Sequence, residues 1–264
     1  MLLSKKEKDD LQKMILEAVD ASFSGWDFSW THQFGGKPEF AAPWNYRETV
    51  ESHLPAAKSL LDLGTGGGEF LASLQPLPET VKATEAWPPN IDTASIRLNP
   101  LGIEVHGVED GIQERAPLPF SDSSFDLVID RHESYESAEV FRVLKPGGIF
   151  ITQQVGCRDI EKLLTMFGSL TDGPDDFDWN LASAAGFLKE AGFTVTEQNE
   201  HIANTRFYDI RVVVYFLKVL AWSFPDFDID LYRKRLANIY ALIKRDGYFE
   251  DIDHRFFLVA EKPY

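Results

Sequence analysis

From residue 59 to residue 155, short apolar runs rich in β-branched residues alternate with stretches of helical spacing. That alternation predicts stacked β-α units and a parallel sheet. The runs are Ser59–Leu63, Thr80–Glu85, Ile103–His106, Phe125–Asp130 and Ile149–Gln154. Between them a helix is expected from Glu69 through Phe70, Leu71 and Leu74 until Pro76, and another opens at Pro88-Pro89-Asn90, carries Ile91, Ala94, Ile96 and Leu98, and stops at Asn99-Pro100. A third spans Ser137 to Leu144 and ends at Pro146-Gly147-Gly148. Beyond residue 155 the alternation slows. Ala182–Ala191 reads as a helix closed by Gly192, Phe193–Glu197 as an edge-type strand, Leu231–Arg245 as a helix and Phe256–Ala260 as a final strand. The apolar run Arg211–Trp222 fits strand or helix, since periodicity alone does not separate them. The first 53 residues hold one amphipathic helix, marked by Leu11, Ile15, Leu16 and Val19, and then an aromatic stretch from Phe23 to Tyr46.

Composition narrows the partners. With 26 Lys+Arg against 42 Asp+Glu the formal charge is −16, and the longest basic run is Arg233-Lys234-Arg235, which reads as a solvated helix face. Phosphate-binding proteins draw affinity from a basic face that releases counterions, so nucleic acid is not expected as a partner. One cysteine, Cys157, excludes an intramolecular disulfide framework and a multi-cysteine zinc site. The histidines His32, His53, His106, His201 and His254 lack ligand spacing, and no metal is expected. No apolar stretch reaches the ~18 residues that a membrane span needs, and the first twenty residues mix Lys, Glu and Asp instead of forming a signal-peptide core. A cytoplasmic location, with no membrane partner, is the expectation.

The stretch Asp62-Leu63-Gly64-Thr65-Gly66-Gly67-Gly68-Glu69 carries the chemistry. Glycines after a first strand let the backbone turn sharply and approach a ligand closely. A dinucleotide fingerprint would place its third glycine where Glu69 stands, a poor neighbour for a pyrophosphate. Asp62, two residues before the first glycine, suits an ammonium group. Glu85, closing the second strand, sits where a carboxylate accepts from both hydroxyls of a ribose. An amino group, a ribose and no phosphate describe S-adenosylmethionine.

Three motifs in order, residues 60–68, 118–128 (Leu-Pro-Phe-Ser-Asp-Ser-Ser-Phe-Asp-Leu-Val) and 143–148 (Val-Leu-Lys-Pro-Gly-Gly), resemble the class I S-adenosylmethionine-dependent methyltransferases, and within them the methyltransferase type 11 group. The resemblance covers residues 60 to 155. It implies an α/β, Rossmann-like, seven-stranded sheet in three layers (α/β/α), parallel except for one antiparallel strand near the C-terminus. A single domain over residues 1–264 is expected, with a core of about 47–200 and 250–264, an N-terminal helical segment 1–46 that folds over the cofactor, and a cap insertion of about 205–249. The resemblance places Asp62, Gly64, Thr65 and Gly66 at the methionine end of the cofactor, Glu85 on the ribose, Ala86 and Trp87 beside the adenine, and Asp110, Gly111 and Ile112 near the adenine amino group. Arg131, His132 and Glu133 would line the reaction cleft.

Methyl transfer is an in-line displacement that needs a base only when the acceptor must shed a proton. His132 and Glu133 are the candidates, His132 because it titrates near neutrality. The plainer alternative is that His132 bonds a neighbouring loop while Arg131 pairs with an acid such as Asp130. Gln153 and Gln154 are possible polar contacts to acceptor or cofactor. Lys145-Pro146-Gly147-Gly148 is read as architectural. Aromatics at both flanks (Trp26, Phe28, Trp30, Phe34, Trp44 and Tyr46; Tyr208, Tyr215, Phe216, Trp222, Phe224 and Phe227) either line an apolar acceptor site or pack cap against sheet. The expected activity is methylation of a small molecule at O, N or C. An RNA or protein methyltransferase and a non-catalytic S-adenosylmethionine-binding protein are the alternatives.

Overall fold

A computed structural model describes residues 3–23, 27–36, 42–108, 117–167, 179–221, 223–224 and 227–264. Its elements run α1 (Lys5–Asp20), α2 (Ser29–His32), α3 (Tyr46–His53), β1 (Ser59–Leu63), α4 (Glu69–Ala72), β2 (Thr80–Glu85), α5 (Pro88–Leu98), β3 (Glu104–Gly107), β4 (Phe125–Arg131), α6 (Ser137–Val143), β5 (Leu144–Val155), α7 (Glu161–Phe167), α8 (Leu181–Glu190), β6 (Thr194–Phe207), α9 (Ile210–Val219), α10 (Ile229–Asp246) and β7 (Phe249–Glu261). The seven strands form one sheet in the order β3-β2-β1-β4-β5-β7-β6. The first five are parallel, and β7 runs antiparallel between β5 and β6. The expected seven-stranded, mostly parallel sheet is therefore present.

Side chains of the central strands alternate between two cores, as a pleated strand requires. Leu60, Leu127, Ile129, Ile151, Phe257 and Val259 pack with α3, α4 and α5 residues such as Val50, Leu71 and Leu98. Their neighbours Leu61, Val128, Phe150, Phe256, Leu258 and Ala260 pack on the other face with Val140 of α6 and Leu188 of α8. Three layers result. Lys145 Nζ reaches Asp126 Oδ2 (2.9 Å) and Ser59 Oγ (3.0 Å), tying together the starts of β1, β4 and β5 at the sheet edge away from the glycine turn.

Several elements depart from the expected boundaries. The run 211–222 resolves as helix: α9 buries Val212, Val213, Val214, Tyr215 and Leu217 almost all round, so it lacked a polar face to betray its period. Helix α4 is a single turn, although Leu74 beyond it is still buried. Helices α3 and α7 were not anticipated. The largest difference lies in β6 and β7, which continue as an antiparallel pair from Thr194↔Glu261 out to Phe207↔Phe249. Helices α9 and α10 sit between those far ends. With α1 and α7 they build a third core around Ile15, Leu163, Phe207, Tyr232, Leu236 and Phe249.

Candidate functional site

The carboxyl ends of β1, β2 and β4 meet where the strand order reverses direction, the place where open α/β sheets bind ligands. After β1, Gly64, Gly66 and Gly68 adopt φ of 61°, 62° and 79°, the left-handed region that L side chains avoid. A Cβ on Gly64 would lie 2.5 Å from Glu133 Cβ and Cγ, so glycine there lets the loop after β4 close onto the turn. Most amides of the turn are engaged within the protein. Gly64 N–H donates to Thr84 Oγ1 (3.3 Å), Thr65 N–H to Thr84 O (2.9 Å), Gly66 N–H to Glu85 Oε2 (2.7 Å) and Gly68 N–H to Thr65 O (3.0 Å). The Glu69 carboxylate stands beside Gly67, where it pairs with Arg97 (2.5 Å). With its amides occupied and an acid at its mouth, the turn is a poor phosphate cradle, in contrast to the free amides of nucleotide-binding helix starts.

Two carboxylates flank the turn. Asp62 is 5% exposed at the end of β1, and burial pushes its carboxyl up to about 7, only partly offset by hydrogen bonding and the nearby Arg131. Glu85 is 3% exposed. Its Oε1 accepts from the backbone amides of Ala86 (3.0 Å) and Trp87 (2.9 Å) and its Oε2 from Gly66, while burial raises its pKa. A carboxylate has about four acceptor places, so one remains open on Glu85, not the two that a bidentate grip on a ribose would use. Trp87, 38% exposed, follows directly and stacks on Phe23 at 5.9 Å. A buried acid awaiting a cation, an acid with one acceptor place left and a partly exposed indole fit a ligand bearing an ammonium group, a ribose and a flat base.

The loop after β4 closes the other side. Arg131 sits over the Phe70 ring (4.9 Å) and makes no pair with Asp130. Asp130, fully buried, accepts from Gln154 Nε2 (2.7 Å) and Thr152 Oγ1 (3.4 Å), while its Oδ2 meets no donor. Burial first, and the Glu133 charge second, raise its pKa far above the ordinary carboxylate value. Gln154 also donates to Glu133 O (2.8 Å). Gln154 is thus a buried brace for this loop, not a contact to a ligand. Glu133 Oε1 accepts from Ser134 N (3.1 Å) and Ser134 Oγ (3.2 Å). His132 takes φ 71°, and its ring Nε2 lies 3.0 Å from Gln153 Nε2.

Two residues of the N-terminal segment reach this end of the sheet. Trp44 Nε1 donates to Gln153 Oε1 (2.8 Å), and the Tyr46 hydroxyl to Asp130 O (3.0 Å). Burial and the neighbouring acids Asp62 and Asp130 keep that phenol protonated. Their roles could not be read from spacing, because Trp44 and Gln153 stand 109 positions apart. The other flanking aromatics that are described mostly pack cap against N-terminal segment: Trp30 stacks on Tyr215 at 5.0 Å, Phe28 meets Phe216 at 5.2 Å and Phe227 meets Tyr232 at 5.8 Å. Asp110, Gly111, Ile112, Trp26 and Trp222 lie outside the described residues.

The site of this fold can now be set against known proteins. The methyltransferase domain family matches residues 61–152. The ubiquinone biosynthesis O-methyltransferase of Maricaulis maris is 32% identical over 98 residues, 35% of this chain and 38% of that one, so the chain spans well under half of the curated relative it matches. Among solved structures, a putative methyltransferase from Bacillus halodurans C-125 aligns over 97% of this chain and all of its own at a TM-score of 0.53 and 17% identity. The YcgJ protein of Bacillus subtilis aligns over 83% of this chain and 98% of its own at a TM-score of 0.54 and 16% identity. The chain has the class I methyltransferase fold. Its glycine turn, both flanking acids and the loop after β4 lie inside the segment that matches the methyltransferase domain.

Proposed function

We propose that the protein binds S-adenosylmethionine at the glycine turn and transfers its methyl group to a small molecule at O, N or C. The observation that carries this reading is the pair Asp62 and Glu85, buried on either side of a turn whose amides are largely spoken for. Asp62 would hold the ammonium of the methionine moiety, and the open place on Glu85 a ribose hydroxyl. Gly64, Thr65 and Gly66 shape the wall beside the methionine end, Ala86 and Trp87 that beside the base, and Arg131 is proposed at the edge of the same pocket. Asp110, Gly111 and Ile112 are proposed for the far end of the base.

Bound there, the cofactor supplies a methyl group already activated by the sulfonium. What remains for the chain is to orient the acceptor, keep water out and take any proton the acceptor must lose. His132 and Glu133, at the carboxyl end of β4, are proposed for that side of the cleft. A small-molecule acceptor is supported by the ubiquinone-biosynthesis relative and by the net charge of −16, which disfavours RNA.

Calorimetric titration with S-adenosylmethionine tests the reading. Asp62→Ala and Glu85→Ala are each expected to weaken binding at least tenfold, since each removes charge-assisted hydrogen bonds worth ~1.5–3 kcal/mol. Unchanged affinity in both variants would overturn it. Incubation with methyl-labelled cofactor and a metabolite extract, followed by mass spectrometry of labelled products, identifies the acceptor.

A further inference from the structure

The indole of Trp44 can only donate, so the Gln153 side-chain oxygen must face it, at 2.8 Å. That choice fixes the whole amide. The NH2 group then faces His132 Nε2 at 3.0 Å, and an NH2 group also can only donate. Two donors do not share a hydrogen bond, so Nε2 is the acceptor. The anchor is rigid at both ends: Trp44 stacks on the buried Phe257 at 5.9 Å, and His132 N–H donates to Gln153 O at 2.8 Å.

We infer that Gln153, oriented by Trp44, is a positioning residue that holds His132 as a neutral imidazole with its proton on Nδ1. The ring is then a hydrogen-bond donor through Nδ1, and it can take up a proton only by giving up Gln153. Deepening the methyltransfer reading and resting on it for its consequence, this assigns His132 to orienting the acceptor and leaves the carboxylate of Glu133 as the one of the two that can receive a proton. An acceptor whose reactive atom is ionised or carries a free lone pair before it arrives, such as a phenolate or an amine, suits that division.

The test reads the tautomer directly, on the ligand-free full-length chain. Two-bond 1H–15N correlation spectra distinguish a protonated ring nitrogen from an unprotonated one, and His132→Asn assigns the signal by its loss. The expected result is a protonated Nδ1 and an unprotonated Nε2. In Gln153→Glu the new carboxylate accepts instead of donating, so the proton should move to Nε2; in Trp44→Phe, freed to turn, Gln153 should leave a mixture. Protonated Nε2 in the unaltered protein would overturn the assignment, as would spectra that stay the same in both variants. Should one variant not fold, the unaltered chain and the other variant still decide. Because no cofactor is present, failure here is separate from failure of the titration with S-adenosylmethionine.

Discussion

Asp62 holds its place against its own solvation. Its native carboxyl sits at about 7 against an ordinary 3.8, so above pH 4 the folded chain keeps a proton that the unfolded chain releases. A carboxylate raised in this way destabilises the fold increasingly as pH climbs from about 4 to 7, and fully above that. Asp62→Asn is therefore expected to stabilise the ligand-free protein at pH 8 by on the order of 2–4 kcal/mol, with little gain at pH 4. Urea denaturation at the two pH values checks this, and the same variant should bind S-adenosylmethionine at least tenfold more weakly. Gain in stability with loss of binding is the mark of a group kept for its ligand. Gly64 makes the complementary case. Alanine there must adopt φ near 61° and push into Glu133, at a cost of roughly 2 kcal/mol or more. Pairing Gly64→Ala with Glu133→Ala should recover only the steric part, which a double-mutant cycle in denaturant would measure.

Among the elements, β1, β2, β4 and the central part of β5 could be read before the fold was seen, because strands covered on both faces are continuous apolar runs. β6 could not: Glu197, Gln198, Asn199 and Glu200 lie on an edge strand open to solvent, so only the apolar start at Val195 stood out. Helix α3 did carry a signal, with Asn45 as cap and Tyr46, Val50 and Leu54 four apart on one buried stripe. The neighbouring aromatics masked it. At the site, Asp62 and Glu85 were readable because a glycine turn gives them a frame, whereas the Trp44–Gln153–His132 chain exists only once α3 and β5 are brought together. Helix α7 depends on another strand in the same fashion. Asp251 of β7 accepts from the amides of Lys162 and Leu163, each at 2.9 Å, and so caps α7 from across the fold. Asp251→Ala should lower stability by about 1–2 kcal/mol, seen as a shifted denaturant midpoint with an unaltered slope.

The whole molecule joins two bodies of packing, the layered sheet and the helical cluster of α1, α7, α9 and α10. Lys218 of α9 ties the N-terminal helix into that cluster, donating to Val19 O (2.9 Å) and to Ala21 O at the end of α1, where carbonyls lack partners and a cation is favoured. Lys218→Met keeps the stem and removes the charge. It is expected to cost about 1 kcal/mol and to speed limited proteolysis of the first thirty residues several-fold. The aromatic contacts of Phe23 with Trp87 and Tyr215 run from this cluster to the rim of the cleft, so a loosened α1 should also be felt in cofactor affinity. The paired ends Phe207 and Phe249 stand directly opposite each other on neighbouring strands, about 5 Å apart as such partners do. Everything from 208 to 248 therefore leaves and re-enters the sheet through a single doorway, and its length or sequence can change without dragging any strand out of line. A scaffold with such a doorway can trade one acceptor-facing module for another while the cofactor end stays as it is.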